Sequence, residues 1–195
     1  TVTVAAPGRY NVNVAGAYFP SATWIAGHVH IASALNGAYG SGITNDTLRG
    51  TPGLTYENTV LGISSGNYVI NLTALGIDSR TDGILLVNGG KNEDNWATSG
   101  VNDEDGTWDV RVKNSGSNTS GSEEDPFAFV FIPKTNTTVV SGRFLGDASI
   151  AVYSGVTPQF TVVSNAVGTY ELKIPGYKPT NGVLIVSADQ SGSLN

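Results

Sequence analysis

The chain carries only two histidines, His28 and His30, in the run Trp-Ile-Ala-Gly-His-Val-His-Ile at residues 24–31. On a strand, positions i and i+2 share a face. A His-x-His pair therefore presents two imidazoles side by side, a geometry that suits zinc or copper. Metal centres take about three or four ligands, and no acidic residue adjoins this pair to supply the third. Two polar side chains on a sheet face, or at an interface, are the plainer reading, and no metal is assigned to them.

Oxygen-rich runs offer a second chemistry: Asn-Glu-Asp-Asn at 92–95, Asn-Asp-Glu-Asp at 102–105 and Glu-Glu-Asp at 123–125. Calcium takes roughly six to eight oxygen ligands, which makes Glu93, Asp94, Asp103 and Asp105 its candidate ligands. None of the runs has the spacing of an EF-hand loop or of a glycine-rich nonapeptide. Solvated acidic turns account for them, so no cofactor is expected and calcium is the one candidate ion. Paired carboxylates also serve glycosidases, but a Gly-x-Ser-x-Gly elbow, a P-loop and a dinucleotide fingerprint are all missing. With no cysteine in the chain, a nucleophilic triad would have to use His28 or His30. The residues point away from an enzyme, and a hydrolase is the weakest of the functional readings.

Tyr18, Phe19, Tyr39 and Trp96 fall in loop-like stretches. Flat rings of this kind stack on sugar faces, which makes them candidate glycan contacts; packing across a domain junction is the competing use. Asn-x-Ser/Thr sequons begin at Asn45, Asn71, Asn118 and Asn136. They make glycosylation available to the chain, and so much Asn, Ser and Thr yields about that many by chance.

The elements that must position these residues are strands. One phrase occurs four times: Gly-Arg-Tyr-Asn-Val-Asn-Val at 8–14, Gly-Asn-Tyr-Val-Ile-Asn-Leu at 66–72, Gly-Thr-Trp-Asp-Val-Arg-Val at 106–112 and Gly-Thr-Tyr-Glu-Leu-Lys-Ile at 168–174. Each is glycine, any residue, an aromatic, then alternation. Tyr10, Val12 and Val14 share one face, as do Tyr68, Ile70 and Leu72, then Trp108, Val110 and Val112, then Tyr170, Leu172 and Ile174. Asn11, Asn13, Asp109, Arg111, Glu171 and Lys173 make the opposite, wet faces. One apolar and one wet face is the mark of antiparallel sheets.

After each phrase comes a more apolar run, at 24–31, 82–87, 125–132 and 181–186. The first and third phrases, and the second and fourth, are each separated by about one hundred residues, a period near domain size. The spacing predicts two tandem, duplicated antiparallel β-sandwich units, residues 1–92 and 93–195, with the polar stretch 88–95 as boundary. Equivalent buried positions are expected for Tyr10, Tyr68, Trp108 and Tyr170. Residues 56–61 are predicted as a strand, and further short strands around 139–140, 143–145, 149–153 and 159–163. No segment shows a sustained helical period.

Only 13% of the residues are charged, and the net charge of −6 lacks the basic clusters that nucleic acid or an anionic membrane surface requires. No run reaches the roughly 18 apolar residues of a bilayer span. The absence of methionine suggests a processed chain, such as one that has lost a signal peptide.

The phrase at 163–174 with its following run 183–186 resembles the strands of jelly-roll heads in bacterial surface fibres and phage tail fibres. The phrase at 66–72 with residues 86–89 is similar to the C1q/TNF-like jelly roll and likewise resembles repeat-rich secreted bacterial proteins. The resemblance implies an extracellular binding or structural module without catalysis.

Two roles are therefore expected. The first is a structural subunit of an extracellular filament or surface layer, its partners copies of itself. It would assemble head-to-tail as Thr1, Val2, Thr3 and Val4, an uncharged strand, add to the sheet of a neighbour. The alternative is a lectin-like or fibre-head module whose loop aromatics hold a glycan.

Overall fold

The computed structural model describes residues 2–6, 9–12, 24–31, 47–90, 95–114, 122, 124–178, 180 and 182–189. The fold is all-β. The first four strands are β1 (Val2–Ala6), β2 (Arg9–Val12), β3 (Ile25–His30) and β4 (Thr47–Gly50). A single helical turn, α1 (Tyr56–Thr59), leads into β5 (Val60–Ser64), β6 (Asn67–Ile70), β7 (Gly83–Gly89), β8 (Asn95–Val101), β9 (Trp108–Asn114) and β10 (Phe127–Pro133). Beyond them come β11 (Gly142–Phe144), β12 (Ile150–Tyr153), β13 (Thr161–Ala166) and β14 (Thr169–Lys173).

Two four-stranded antiparallel sheets, ordered β4-β3-β10-β7 and β5-β6-β9-β8, face each other as a sandwich. The alternation explains the packing. Trp108, Val110 and Val112 of β9, with Tyr68 and Ile70 of β6, point into the core. Phe127, Phe129 and Phe131 of β10 meet them from the other sheet. Tyr68 lies 5.2 Å from Phe127 and Trp108 lies 5.5 Å from Phe131 between ring centroids, so each phrase aromatic of this sheet docks on a phenylalanine of the other. Such pairs add about 0.5–1.5 kcal/mol beyond their buried area. Val130 and Ile132, on the far face of β10, are buried too, as befits a central strand that reads apolar on both faces.

The glycine that opens the last three phrases has a backbone reason. Gly66, Gly106 and Gly168 adopt φ of 66°, 75° and 72°, the left-handed region that glycine enters without a Cβ penalty. Three hairpins share one bulged register. In β5–β6 the register runs Gly62↔Tyr68, then a bulge, then Ser64↔Asn67. In β13–β14 it runs Ser164↔Tyr170, a bulge, then Ala166↔Thr169. In β1–β2 it runs Val4↔Tyr10, a bulge, then Ala6↔Arg9. At Gly66 and Gly168 the bulge adjoins the left-handed glycine, a standard companion of a short hairpin loop.

The expected division at residue 92 has no counterpart in the sandwich, because both sheets mix strands from either side of it. β9 pairs with β6 on one side and β8 on the other, and β10 lies between β3 and β7. Tyr68 and Trp108 are buried as expected, whereas Tyr170 keeps 37% of its surface. The side chain of Tyr10 lies outside the described residues. Residues 56–59, predicted as strand, form α1 instead: Asn58 Oδ1 accepts from the Thr55 backbone N–H at 2.9 Å, a local capping bond that favours the helical turn. Residues 139–140 and 183–186 form no strand.

Candidate functional site

β3 positions the histidines. Its burial alternates, with Ala26, Gly27, Val29 buried and His28, His30 exposed on the outward face of the sheet. His28 stands across from Arg49 of β4 and Ala128 of β10, and His30 across from Thr47. Packing by these flanking strands holds the His28 pKa below its ordinary value, with smaller contributions from His30 and Arg49. Among the described residues no group of three or more His, Asp or Glu side chains is placed to hold a metal. We expect His28→Ala with His30→Ala to change stability by no more than about 0.5 kcal/mol, the usual range for exposed positions. A transition metal found stoichiometrically by elemental analysis in the parent protein, and lost in the double variant, would show instead that the pair is a ligand set.

Asp103 and Asp105 lie in the β8–β9 turn, where Asp105 Oδ1 accepts from the Thr107 N–H at 3.0 Å and from its hydroxyl at 2.6 Å. That bond closes an Asx turn and uses the carboxylate locally. The Asp103 carbonyl accepts from Arg80 Nη1 at 3.0 Å. Glu93 and Asp94 lie outside the described residues. Glu124 and Asp125 of the run at 123–125 are not solvated, because both are buried and each is engaged by a partner, while Glu123 lies outside the described residues. Asp109, expected on a wet face, is only 2% exposed and is likewise engaged. Buried carboxylates persist only when paired or hydrogen-bonded, so both departures mark tertiary contacts that local alternation does not encode.

A charged latch went unnoticed in the sequence. Arg80 grips Asp78 through Nε to Oδ1 at 2.8 Å and Nη2 to Oδ2 at 2.7 Å. The guanidinium lowers the Asp78 carboxyl to about 2. Asp82 accepts from the Asp78 N–H at 2.9 Å and pairs with Lys134 at 3.3 Å. The latch ties the β6–β7 crossover to the β8–β9 turn and to the end of β10. The spacing Asp-Ser-Arg-Thr-Asp at 78–82 was the available signal.

Of the candidate glycan contacts, Trp96 is described. It lies on β8, 42% exposed, with Lys113 Nζ 5.6 Å from its ring centroid, a cation–π distance. Tyr18, Phe19 and Tyr39 lie outside the described residues. So do the sequon residues Asn45 and Asn118. Asn71 is exposed and its Oδ1 accepts from the Thr73 N–H and hydroxyl at 2.9 and 2.7 Å. Asn136 makes the same contacts with Thr138 at 2.8 and 2.9 Å. Thr1 lies outside the described residues as well, while Val2, Thr3 and Val4 lie in β1, which pairs with β2.

The more unusual surface is at the other end of the chain. β13 and β14 form a two-stranded sheet by themselves, nearly every residue exposed. Residues 183–186, Val-Leu-Ile-Val, carry exposures from 48% to 90%. Tyr170 is tethered rather than buried: its ring stands edge-on to Phe144 at 5.2 Å and its hydroxyl donates to the Gly146 carbonyl at 3.0 Å. Arg143 of β11 pairs with Asp189 at 2.7 Å, and Asp189 bridges in parallel to Ser99 at the free edge of β8. These contacts hold the C-terminal segment along one side of the sandwich.

Fold and surface together define a two-sheet antiparallel β-sandwich with appended hairpins and an uncovered apolar run. Set beside protein-family models, curated proteins and solved structures, the chain matches none of them.

Proposed function

We propose that the protein is a structural subunit of an extracellular filament or surface layer, assembled head-to-tail by β-strand addition through its N-terminal strand. The observation that carries this reading is the exposed C-terminal surface, in which Val183 keeps 90% of its area and β14 has a strand on only one side among the described residues. Contiguous exposed apolar surface marks an interaction site, and an open strand edge is a template for pairing with another chain. Two-stranded hairpins are marginal on their own in water, so a second chain that extends the sheet stabilises the subunit and the polymer together. An extracellular setting does not require disulfides, so the cysteine-free composition is compatible with it. Negative-stain electron microscopy of the purified protein is the test: long regular polymers are expected, and uniformly dispersed particles at all concentrations would overturn the reading.

Binding of a glycan is the second reading, favoured by the exposed ring of Trp96 on β8. It predicts isolated particles whose tryptophan fluorescence responds to an oligosaccharide and no longer does so in Trp96→Ala.

A further inference from the structure

One sheet of the sandwich is made of two hairpins joined through their second strands. β5–β6 and β8–β9 meet along β6 and β9, giving the order β5-β6-β9-β8 with Tyr68↔Val110, Val69↔Asp109 and Ile70↔Trp108 in register. The chain contains two further hairpins that begin their second strands with the same phrase. β1–β2 and β13–β14 each form a separate two-stranded sheet, and each repeats the bulged register of β5–β6. In neither is a strand found beside the outer edge of the second strand among the described residues.

We infer that β2 of one copy pairs with β14 of the next, so that the N-terminal hairpin of each subunit completes the C-terminal sheet of its neighbour in the order β13-β14-β2-β1. The inference rests on the filament reading and adds to it the acceptor and the register. Tyr68 and Tyr170 hold the same place in their hairpins, and Tyr10 holds the place in its phrase that Trp108 holds in β9. Carrying the register of β6 and β9 across sets Tyr170 opposite Val12, Glu171 opposite Asn11 and Leu172 opposite Tyr10. β-branched against aromatic and aliphatic against aromatic are favourable cross-strand pairs. Glu171 then lies diagonal to Arg9, opposite in charge, and the ladder stops before Lys173, as the ladder of β6 stops at Ile70.

Three properties of the acceptor fit this occupant better than an unrelated strand. Tyr170 is a large aromatic left 37% exposed, whereas its counterpart Tyr68, on a strand flanked by two neighbours and facing Phe127 of the other sheet, is 2% exposed. The donor is already a hairpin, so joining it costs less conformational entropy than recruiting an unstructured segment. The two hairpins belong to opposite ends of one chain and form separate sheets within it, which makes the contact heterologous and able to propagate.

The chain has no cysteine, so engineered disulfides report the register directly. Directly opposed antiparallel residues have Cα atoms about 4.5–5.5 Å apart, inside the disulfide range. Asn11→Cys and Glu171→Cys single variants, mixed and mildly oxidised, are expected to give a covalent dimer. The double variant is expected to give a ladder of covalent oligomers on a non-reducing gel. Asn11→Cys mixed with Val163→Cys, which lies one strand further away on β13, is expected to stay monomeric. Circular dichroism and microscopy of the reduced variants establish that each folds and whether it polymerises. Polymers without the Asn11–Glu171 cross-link would overturn this junction while leaving the filament reading intact. A cross-link confined to the monomer band would also overturn it, because the pairing would then be internal. Neither polymers nor cross-links from any variant or from the parent would overturn both.

Discussion

Removing residues 1–6 is expected to leave a soluble, folded protein that no longer polymerises. Both four-stranded sheets lie between Ile25 and Pro133, and the core described there runs from Val29 to Phe131. None of that framework needs β1. What β1 does is support β2: with Val2, Thr3, Val4 and Ala6 gone, the strand from Arg9 to Val12 has no hairpin partner. An isolated two-stranded hairpin is already marginal in water, and a lone strand is less stable still. A donor that must be ordered at the moment of binding loses about 1–2 kcal/mol per residue in backbone entropy. Over even three residues that raises the critical concentration by about a thousandfold. Protein left in the supernatant after ultracentrifugation measures it, with far-ultraviolet circular dichroism to show that the sandwich persists. If the truncated chain pelleted at the same concentration as the parent, the N-terminal hairpin would not be the donor.

Trp108→Ala is expected to destabilise the subunit by about 3–5 kcal/mol, the usual cost of deleting a large buried ring. Trp108 is 2% exposed and packs edge-on against Phe131, so its loss opens a cavity between the two sheets. Tyr170→Ala, at the matching place in the phrase, is expected to cost about 1–3 kcal/mol in the isolated subunit, less than Trp108→Ala. It gives up the edge-on Phe144 contact and the hydrogen bond to the Gly146 carbonyl from a ring that is already 37% exposed. Urea denaturation of the two variants, both made in the chain lacking residues 1–6 so that assembly does not intrude, separates them. Equal costs would mean that Tyr170 is buried in the working subunit and that the C-terminal hairpin belongs to a closed core.

Much of the sandwich is legible residue by residue. The period-two alternation at 108–112 correctly puts Trp108, Val110 and Val112 on the inner face, because a pleated strand turns each side chain opposite to its neighbour whatever lies beyond it. The glycine before each aromatic is legible for the same local reason, since the left-handed turn at Gly66, Gly106 and Gly168 penalises any Cβ. The candidate sites were less legible. The His28 and His30 pair is where its spacing says, on one exposed face. The latch from Arg80 to Asp78 and the Asp103 carbonyl spans two loops, and only folding brings them together. Asp109 shows the limit of the alternation rule, which assigns a face to a residue and says nothing about what covers that face.

Strand identity was written locally, in alternation, turn glycines and apolar runs. Strand partnership was not. The phrases at 66–72 and 168–174 are near copies, yet Tyr68 sits on a strand flanked by β9 and closed in by Phe127 of the facing sheet while Tyr170 stands at an open hairpin. The runs at 83–87 and 183–186 are as alike, yet the first is an edge strand beside β10 and the second joins no sheet. Any extended segment offers the same backbone donors and acceptors along its edge, so hydrogen bonding alone does not choose a neighbour. The choice falls to whichever edge and apolar face the rest of the chain delivers to that place, and β9 and β10 were delivered to β6 and β7, not to β14.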